Sequence, residues 1–258
     1  MSRQPRVRSE TGLYHITFRG INKQNIFEED KDYHKLMELL LKIKKELEFK
    51  IYAYAFMPNH VHLLFQEKET RDSTVAMHKL LTSYAGWYNK KYARSDSLFG
   101  DRFASKPVEE EKHLFSLVRY IHQNPIRAGI VSNIKDYRWS SFQDYLCGNE
   151  WPTVLTDTSF LLSYLSTDKA EAIQDFIKLH HEMVTENYEI GSRRRITAEE
   201  IRTKIMTILN GKEPHTIASL PKHERNSILR RLRYKEGFSI RQIERATGIS
   251  RGIISRIW

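Results

Sequence analysis

The sequence predicts an α+β protein in which a part that mixes strands and helices is followed by an all-α C-terminal module. In the first part, runs of β-branched and aromatic residues alternate with amphipathic helical patterns, and from about residue 152 only helical patterns follow. The charge is segregated as well: residues 193–258 contain 16 Lys and Arg against 6 Asp and Glu, whereas residues 1–192 contain 26 of each. The basic part is expected to be a separate module that binds a polyanion, and a solvated basic helical surface is the alternative.

The first elements are a strand, a helix and a hairpin. Leu13–Phe18 has the pattern of a strand, and a loop through Asn25 follows it. Asp32–Glu48 has its leucines and isoleucines on one helical face. Ile51–Phe56 and Val61–Gln66 predict two strands joined by a Pro-Asn turn.

Two further helices flank a short strand. Val75–Tyr92 is predicted to be helical, Phe103–Glu109 to be a strand, and Leu114–Asn124 to be an amphipathic helix that ends or kinks before Pro125. The order strand, helix, strand, strand, helix, strand, helix suggests a ferredoxin-like antiparallel sheet with helices packed on one face. The tyrosines at 84, 88 and 92 are interpreted as core packing rather than as a platform for base stacking. His180-His181 is expected to face solvent and to have no role in metal binding.

Two histidines in the hairpin are the first candidate for chemistry. His60 and His62 are separated by one apolar residue on a predicted strand, so both side chains project from the same face. Two imidazoles on a rigid element make half of a metal site. With 11 histidines in 258 residues, such a pair also arises by chance, so the interpretation needs further ligands.

The helix that follows offers two of them. Tyr120 and Asn124 lie one turn apart, off the apolar stripe. A phenol and an amide oxygen on one helix face would complete a site that the two histidines begin. The alternative is that Tyr120 is a half-buried packing residue and Asn124 a residue that terminates the helix.

These motifs together resemble a known family, the REP-associated tyrosine transposases, which belong to the single-tyrosine branch of the HUH endonucleases. The resemblance covers about residues 10 to 145, and its motifs occur in the family's order. They are Tyr14–Gly20 with Asn22 and Ile26-Phe27, Met57–Phe65, Leu98–Phe103, Arg119–Gly129 and Trp139–Ser141. No single motif is specific, but the combination is.

The resemblance implies an activity and assigns roles by position. It implies a metal-dependent single-stranded DNA endonuclease and strand transferase that recognises hairpin DNA, with Tyr120 as nucleophile and His60, His62 and Asn124 as ligands of Mg²⁺ or Mn²⁺. Ligand softness alone would also allow zinc or nickel. The tyrosine would form a 5′-phosphotyrosine intermediate. Candidates for contact with the DNA backbone are Arg19, Arg102, Lys106 and Arg127.

The end of the chain resembles a helix-turn-helix. In Ser239–Ile257, Gly248 occupies the turn and Ser250 is expected to cap the recognition helix, on which Arg251 and Arg256 are candidates for contact with duplex DNA. A plain helical hairpin is the alternative. The predicted organisation is a transposase domain at 1–148, a helical linker at 149–192 with a hinge near Gly191-Ser192, and the basic module at 193–258.

Composition bounds the remaining possibilities. Cys147 is the only cysteine, which excludes an internal disulfide and a Cys-based zinc finger, and it is interpreted as a small hydrophobe. No signal peptide or run of about eighteen apolar residues occurs, so we expect a cytoplasmic, nucleoid-associated protein without a membrane partner. The alternatives are a DNA-binding regulatory protein with a domesticated or inactive transposase domain, and an RNA-directed nuclease. Whether Tyr120 serves its own subunit or a neighbour in a homodimer stays open.

Overall fold

A four-stranded antiparallel sheet forms the base of the N-terminal part. Its strands are β1 (Leu13–Arg19), β2 (Lys50–Met57), β3 (His60–Gln66) and β4 (Ala104–Pro107), arranged in the order β2-β3-β1-β4. All three pairings are antiparallel. With one helix between β1 and β2 and another between β3 and β4, this is the predicted ferredoxin-like order of elements. The α+β prediction is confirmed.

The computed structural model describes residues 7–100, 102–146, 155–186, 188, 198–236 and 238–257. The chain divides into two units, Met1–Gly191 and Ser192–Trp258, each with its own core. Cys147 and the hinge predicted near Gly191-Ser192 lie outside the described residues. No helix within the described ranges is long and apolar enough to cross a membrane.

Helices α1 (Asp30–Leu47) and α2 (Asp72–Lys91) pack against each other on one side of the sheet. Cross-strand register puts Phe18 and Phe56 on the same face as Val61. The Phe56 ring contacts Phe27, and that ring in turn contacts Tyr84 of α2. This face is therefore closed by an aromatic layer beneath the two helices.

The opposite face of the sheet carries helix α3 (Glu111–Arg127). Alternation along β3 places His62 on this face, and its ring contacts Tyr120 of α3. The sequence predicts helices on one face only, which is wrong. The reason is that β3 is apolar on both faces, because Val61, Leu63 and Phe65 alternate with His62 and Leu64 and all five are buried.

Helix α3 runs through Pro125 to Arg127, whereas the sequence predicts an end or a kink before Pro125. Proline removes one backbone donor, and near the end of a helix this costs a single intrahelical hydrogen bond. The last turn then closes normally, because the N–H of Ala128 donates to the carbonyl of Asn124 at 2.9 Å. Tyr120 and Asn124 consequently keep the one-turn spacing that the sequence predicts.

The outer edge of β2 is covered by residues 137–141 and by Asp157. The N–H of Phe56 donates to the carbonyl of Trp139 at 2.9 Å, and the N–H of Ser141 donates to the carbonyl of Tyr54 at 3.0 Å. Farther along the strand, the N–H of Asp157 donates to the carbonyl of Ile51 at 2.8 Å. These bonds satisfy backbone groups that an edge strand would otherwise present to solvent.

The tyrosine row of α2 is structural, as the sequence predicts. The hydroxyls of Tyr84, Tyr88 and Tyr92 donate to the Ile26 carbonyl, to Glu28 and to Asp32, at 2.6, 3.0 and 2.8 Å. The carboxylate of Asp32, in the first turn of α1, also accepts a hydrogen bond from Lys91. The three phenols therefore connect α2 and its C-cap to the first turn of α1 and the segment before it.

Three short helices complete the described part of the first unit. They are α4 (Phe142–Leu146), α5 (Thr158–Ser163) and α6 (Lys169–Leu179). His180, at the end of α6, is buried and its Nε2 lies 3.0 Å from Nδ1 of His122 on α3, while His181 is exposed. The prediction that both histidines face solvent is thus wrong for His180, because helix α6 packs its end against α3.

The second unit contains helices α7 (Ala198–Ile208), α8 (Lys222–Arg230), α9 (Ile240–Thr247) and α10 (Arg251–Ser255). Ser239 caps α9 in a reciprocal capping box with Gln242. Gly248 ends α9 in the left-handed region, at a φ of 74°. Ser250 occupies the N-cap position of α10, but its side chain makes no capping hydrogen bond. Recognition of DNA by α9 and α10 stays a prediction.

Candidate active site

His60 and His62 start strand β3, directly after the Pro58-Asn59 turn. In the register His60 pairs with Arg19 and His62 with Thr17, so both imidazoles project from the face that α3 covers. Their ring centroids are 4.9 Å apart. His62 is buried, while His60 is partly exposed at the end of the strand. The same-face geometry predicted for this pair is present.

Close approach of the backbone at this end of the sheet depends on Gly20. The N–H of Gly20 donates to the carbonyl of Asn59 at 3.0 Å, which joins the loop after β1 to the histidine turn. A Cβ at Gly20 would lie 2.2 Å from the carbonyl oxygen of Gln24. Only glycine fits this position without movement of the backbone.

A third histidine, which sequence reasoning missed, belongs to the same group. Nε2 of His15, on β1, lies 3.0 Å from Nδ1 of His62, and the two rings stack with centroids 5.2 Å apart. His15 is 1% exposed. The only signal in the sequence is its place on the same strand face as Thr17, and an isolated histidine in a strand carries no indication of a partner.

Both candidate ligands use Nδ1 for a hydrogen bond within the protein. Nδ1 of His60 lies 2.5 Å from Oδ1 of Asn59, and Nδ1 of His62 faces His15. Metal-bound histidines typically have one nitrogen on the cation and the other in such a bond. Coordination through Nε2 of either ring would leave these Nδ1 bonds intact, so the donor set fits a metal site.

The electrostatics keep the imidazoles of His62 and His15 neutral at physiological pH. Burial lowers the pKa of His62 well below 6.5, and His15, His60 and Arg19 lower that pKa further. Burial, together with His113 and Lys106, lowers the pKa of His15 to about 3. A neutral imidazole has the lone pair that coordination requires.

Tyr120 lies against the histidine group. Its ring centroid is 5.6 Å from that of His62 and 6.4 Å from that of His15, both in edge-on geometry. Tyr188 packs on Tyr120 at 5.2 Å, and the guanidinium of Arg127 lies 5.3 Å from the same ring. Tyr120 is 2% exposed. The structure therefore brings the candidate nucleophile to the candidate metal ligands and covers it.

Asn124 lies one turn after Tyr120 and is also buried. Its Nδ2 donates to the backbone carbonyl of Tyr120 at 2.8 Å, so Oδ1 is the amide atom left to act as a ligand. Among the described residues, no cluster of three or more His, Cys, Asp or Glu could hold a metal ion. The predicted metal site therefore depends on Asn124, or on another oxygen ligand, to complete the histidine pair.

The predicted contacts to the DNA backbone have different surroundings. Arg19 and Lys106 occupy the same sheet face as the histidines, because Arg19 pairs with His60 and Lys106 with His15. Lys106 and Arg102 are exposed. Arg127 is exposed too, but it donates to the carbonyl of Val184 at 2.7 Å and lies over Tyr120.

Of the two arginines predicted in the C-terminal module, Arg251 starts α10 and forms an ion pair with Glu244 of α9. Arg256 lies at the C-cap of α10 and is exposed. Helix α10 is only five residues long. Arg256 therefore follows the helix, whereas the sequence predicts that it lies on it.

Comparisons with known proteins agree with this architecture. Residues 9–124 match the family model described as IS200-like transposase. A REP-associated tyrosine transposase of Escherichia coli K12 is 23% identical over 140 residues, which are 53% of this chain and 78% of that protein. A Haemophilus influenzae protein assigned to the same group is 28% identical over 104 residues, or 36% of this chain. This chain spans 59% of the length of that relative.

A solved structure supports the fold. A REP-associated tyrosine transposase bound to a REP hairpin superposes with a TM-score of 0.50 at 21% identity. The alignment covers 62% of this chain and 96% of that one. At this level of identity the likeness concerns the fold.

Proposed function

We propose that the protein is a metal-dependent single-strand DNA endonuclease and strand transferase, and the match of residues 9–124 to the model of the IS200-like transposases supports this proposal. The observation that carries the proposal is the contact of Tyr120 with His62, at 5.6 Å between ring centroids. The proposed roles are Tyr120 as nucleophile and His60, His62 and Asn124 as metal ligands.

The proposed reaction is attack by the phenolic oxygen of Tyr120 on the scissile phosphorus. The new Oη–P bond replaces the P–O3′ bond, which leaves a 5′-phosphotyrosine and a free 3′-hydroxyl. The phenolic proton passes to solvent, and the leaving 3′ oxygen takes up a proton. Because the phosphodiester energy is kept in the covalent link, a second 3′-hydroxyl can rejoin the strand without ATP.

The two histidines and the Asn124 oxygen would hold Mg²⁺ or Mn²⁺. A bound divalent ion supplies Lewis-acid activation of the phosphate and stabilises the leaving oxygen. The protein's own contribution is orientation: Asn124 is fixed by its bond to the Tyr120 carbonyl, and Tyr120 is held between His62 and Tyr188. A free phenol has a pKa of about 10, so the nucleophile needs the positive field of the site, to which Arg127 contributes from 5.3 Å.

Hairpin DNA with single-stranded flanks is the proposed substrate. Similarity to transposases of the REP-associated group, one of them solved with a REP hairpin, supports this class. An unpaired backbone can also bend into a site at a sheet face, where paired DNA cannot. Arg19, Arg102, Lys106 and Arg127 are the proposed contacts to its phosphates, and all four belong to the first unit.

For the second unit we propose binding to duplex DNA through the α9–α10 pair. The net charge of +10 over residues 193–258 supports this role. Its separate core supports independent recognition. The same feature favours the alternative function, a regulatory protein whose first unit no longer cleaves DNA. A footprint on duplex DNA without cleavage of any single strand in Mn²⁺ would select that alternative.

Covalent trapping tests the enzymatic proposal. The probe is a pool of hairpin oligonucleotides with randomised single-stranded flanks and a fluorescent 3′ end, incubated with Mn²⁺ and analysed on denaturing gels. Wild-type protein is expected to carry the label, and Tyr120→Phe to lose the adduct while it still shifts the hairpins. Tyr84→Phe is the matched control, because it removes another buried phenol, whose hydroxyl donates to the Ile26 carbonyl away from the histidine group. An adduct that survives in Tyr120→Phe would refute the assignment.

A further inference from the structure

His15 presents a problem that the proposed reaction leaves unexplained. It is 1% exposed, and its Nδ1 has no hydrogen-bond partner among the described residues. A buried polar atom without a partner costs about 1–3 kcal/mol. An apolar side chain at this position of β1 would avoid that cost. The presence of an imidazole here therefore needs a structural or functional explanation.

The other nitrogen of the ring supplies the reason. Nε2 of His15 lies 3.0 Å from Nδ1 of His62. The register pairs His15 with Leu64 and His62 with Thr17, so His15 reaches His62 as its diagonal neighbour on the same sheet face. The two ring planes are close to parallel, with an interplanar angle of 20°.

We propose that His15 is a positioning residue that fixes His62 as the tautomer with its proton on Nδ1 and its lone pair on Nε2. In this arrangement His62 Nδ1–H donates and His15 Nε2 accepts, while the proton of His15 sits on its own Nδ1. His62 is then prepared to bind a cation through Nε2, which is the nitrogen away from β1. The inference rests on the proposed function, because it assigns a partner to a proposed metal ligand.

The neighbouring ligand has an arrangement of the same kind. Nδ1 of His60 lies 2.5 Å from Oδ1 of Asn59. An amide oxygen can only accept, so His60 carries its proton on Nδ1 in this bond. With His15 as the acceptor for His62, both ligands carry the proton on the same nitrogen, each oriented by its own partner.

The chain contains a matched control for this contact. His122 and His180 form a second buried pair with the same 3.0 Å separation between ring nitrogens. That pair connects α3 with the end of α6 and has no proposed role in metal binding. Breaking it measures what the loss of any buried histidine pair does to the protein.

The first test measures the affinity of the folded full-length protein for Mn²⁺ by titration calorimetry, without DNA. His15→Phe keeps a ring but removes the acceptor, and it is expected to weaken Mn²⁺ binding by about 10–100-fold. His15→Gln offers an amide oxygen in place of Nε2 and is expected to recover most of the affinity. His180→Phe is expected to leave the affinity unchanged.

The second test needs no variant and no metal. Long-range ¹H–¹⁵N spectra of the metal-free protein report which nitrogen of His62 carries the proton, and we expect Nδ1. A proton on Nε2 would overturn the proposal, even if His15→Phe failed to fold.

His60→Ala and His62→Ala separate the possible failures. If both abolish Mn²⁺ binding while His15→Phe binds as tightly as the wild type, the role of His15 is refuted and the proposed metal site stands. If neither affects binding, the metal site itself is refuted, and the role of His15 with it.

Discussion

The ring of His62 meets the ring of Tyr120 edge-on, with an interplanar angle of 89° and 5.6 Å between centroids. One residue comes from the strand after the Pro58-Asn59 turn and the other from α3, 58 positions later in the chain. A single chain therefore brings the phenol and an imidazole together. The cleavage proposal needs this contact, since a tyrosine on the far face of the sheet could not serve the histidine pair.

We predict that Asn124 is essential for metal binding. Asn124→Ala removes the amide oxygen as well as the bond to the Tyr120 carbonyl, and we expect Mn²⁺ affinity to fall by at least about tenfold. Asn124→Asp keeps an oxygen ligand and is expected to bind Mn²⁺ at least as well as the wild type. Titration calorimetry of the folded variants measures both effects.

The neighbouring residue provides the control for that experiment. The Gln123 amide bonds to the backbone of His180, Glu182 and Val184. Gln123→Ala is expected to lower the melting temperature without changing Mn²⁺ affinity. Equal Mn²⁺ affinity in Asn124→Ala and the wild type would remove Asn124 from the ligand set.

Acid is predicted to destabilise the protein through His180. Burial lowers the pKa of His180 to about 4 in the folded state, whereas an unfolded histidine titrates near 6.5. Between these values the unfolded chain binds the proton and the folded chain does not, so stability falls as pH falls. By about pH 4.5 the loss from this residue is about 2–3 kcal/mol.

Urea denaturation at several pH values tests the His180 prediction. His180→Gln is expected to be less stable near neutral pH, because it breaks the bond to His122, but to have a flatter pH profile than the wild type. His181→Gln, at the adjacent exposed position, should retain the wild-type slope. A wild-type slope in His180→Gln would mean that other groups cause the acid sensitivity.

Asp32 is predicted to be a major source of stability. Burial alone would raise the pKa of Asp32, but bonds from Lys91, from Tyr92 and from two backbone N–H groups outweigh burial and lower it. Asp32→Asn removes the buried carboxylate that bonds to Lys91, Tyr92 and two backbone N–H groups and leaves Lys91 with Glu29 alone, which is expected to cost about 3 kcal/mol at neutral pH. The deficit relative to the wild type should shrink as pH falls below about 4, where the unfolded carboxylate takes up a proton first.

Asp30 provides the comparison for Asp32. It lies two residues earlier and pairs with Arg138, and both side chains are more than half exposed. Asp30→Asn is expected to change the free energy of unfolding by less than about 1 kcal/mol. Similar deficits in the two variants would show that burial of the Asp32 network is not what makes it stabilising.

Duplex binding by the C-terminal module is predicted to depend on Arg251 and Arg256. Replacement of either residue by alanine is expected to weaken binding to duplex DNA and to reduce the salt dependence of log K by about one per lost phosphate contact. Arg202→Ala is the control, because Arg202 lies on α7, outside the α9–α10 pair, and bonds to Glu213. Fluorescence anisotropy over a range of salt concentrations measures the slopes, and equal slopes in all three variants would refute this assignment.

Local patterns were sufficient to predict the sheet and half of the site. Runs of β-branched and aromatic residues identify β1 and β3, and the His-x-His spacing fixes a common face for His60 and His62. The one-turn spacing of Tyr120 and Asn124 survives the wrong prediction at Pro125, because a proline near the end of a helix removes only one backbone hydrogen bond.

Long-range contacts lay beyond these patterns. His15 and His180 acquire their roles from partners 47 and 58 residues away, and nothing in their local sequence distinguishes them from ordinary strand or surface histidines. The position of α3 on the second sheet face was missed for a similar reason, since amphipathicity shows that a helix has an apolar side but not what that side covers.

The covering of β2 by residues 137–141 and Asp157 limits how two molecules could associate. Because the backbone of this outer strand already bonds within its own chain, a second copy could not lengthen the sheet from that margin. Strand-to-strand assembly would have to use β4, whose Lys106 pairs with His15. Any dimer formed in that way would have its interface beside the histidine group. The candidate active sites of the two copies would then lie close to each other.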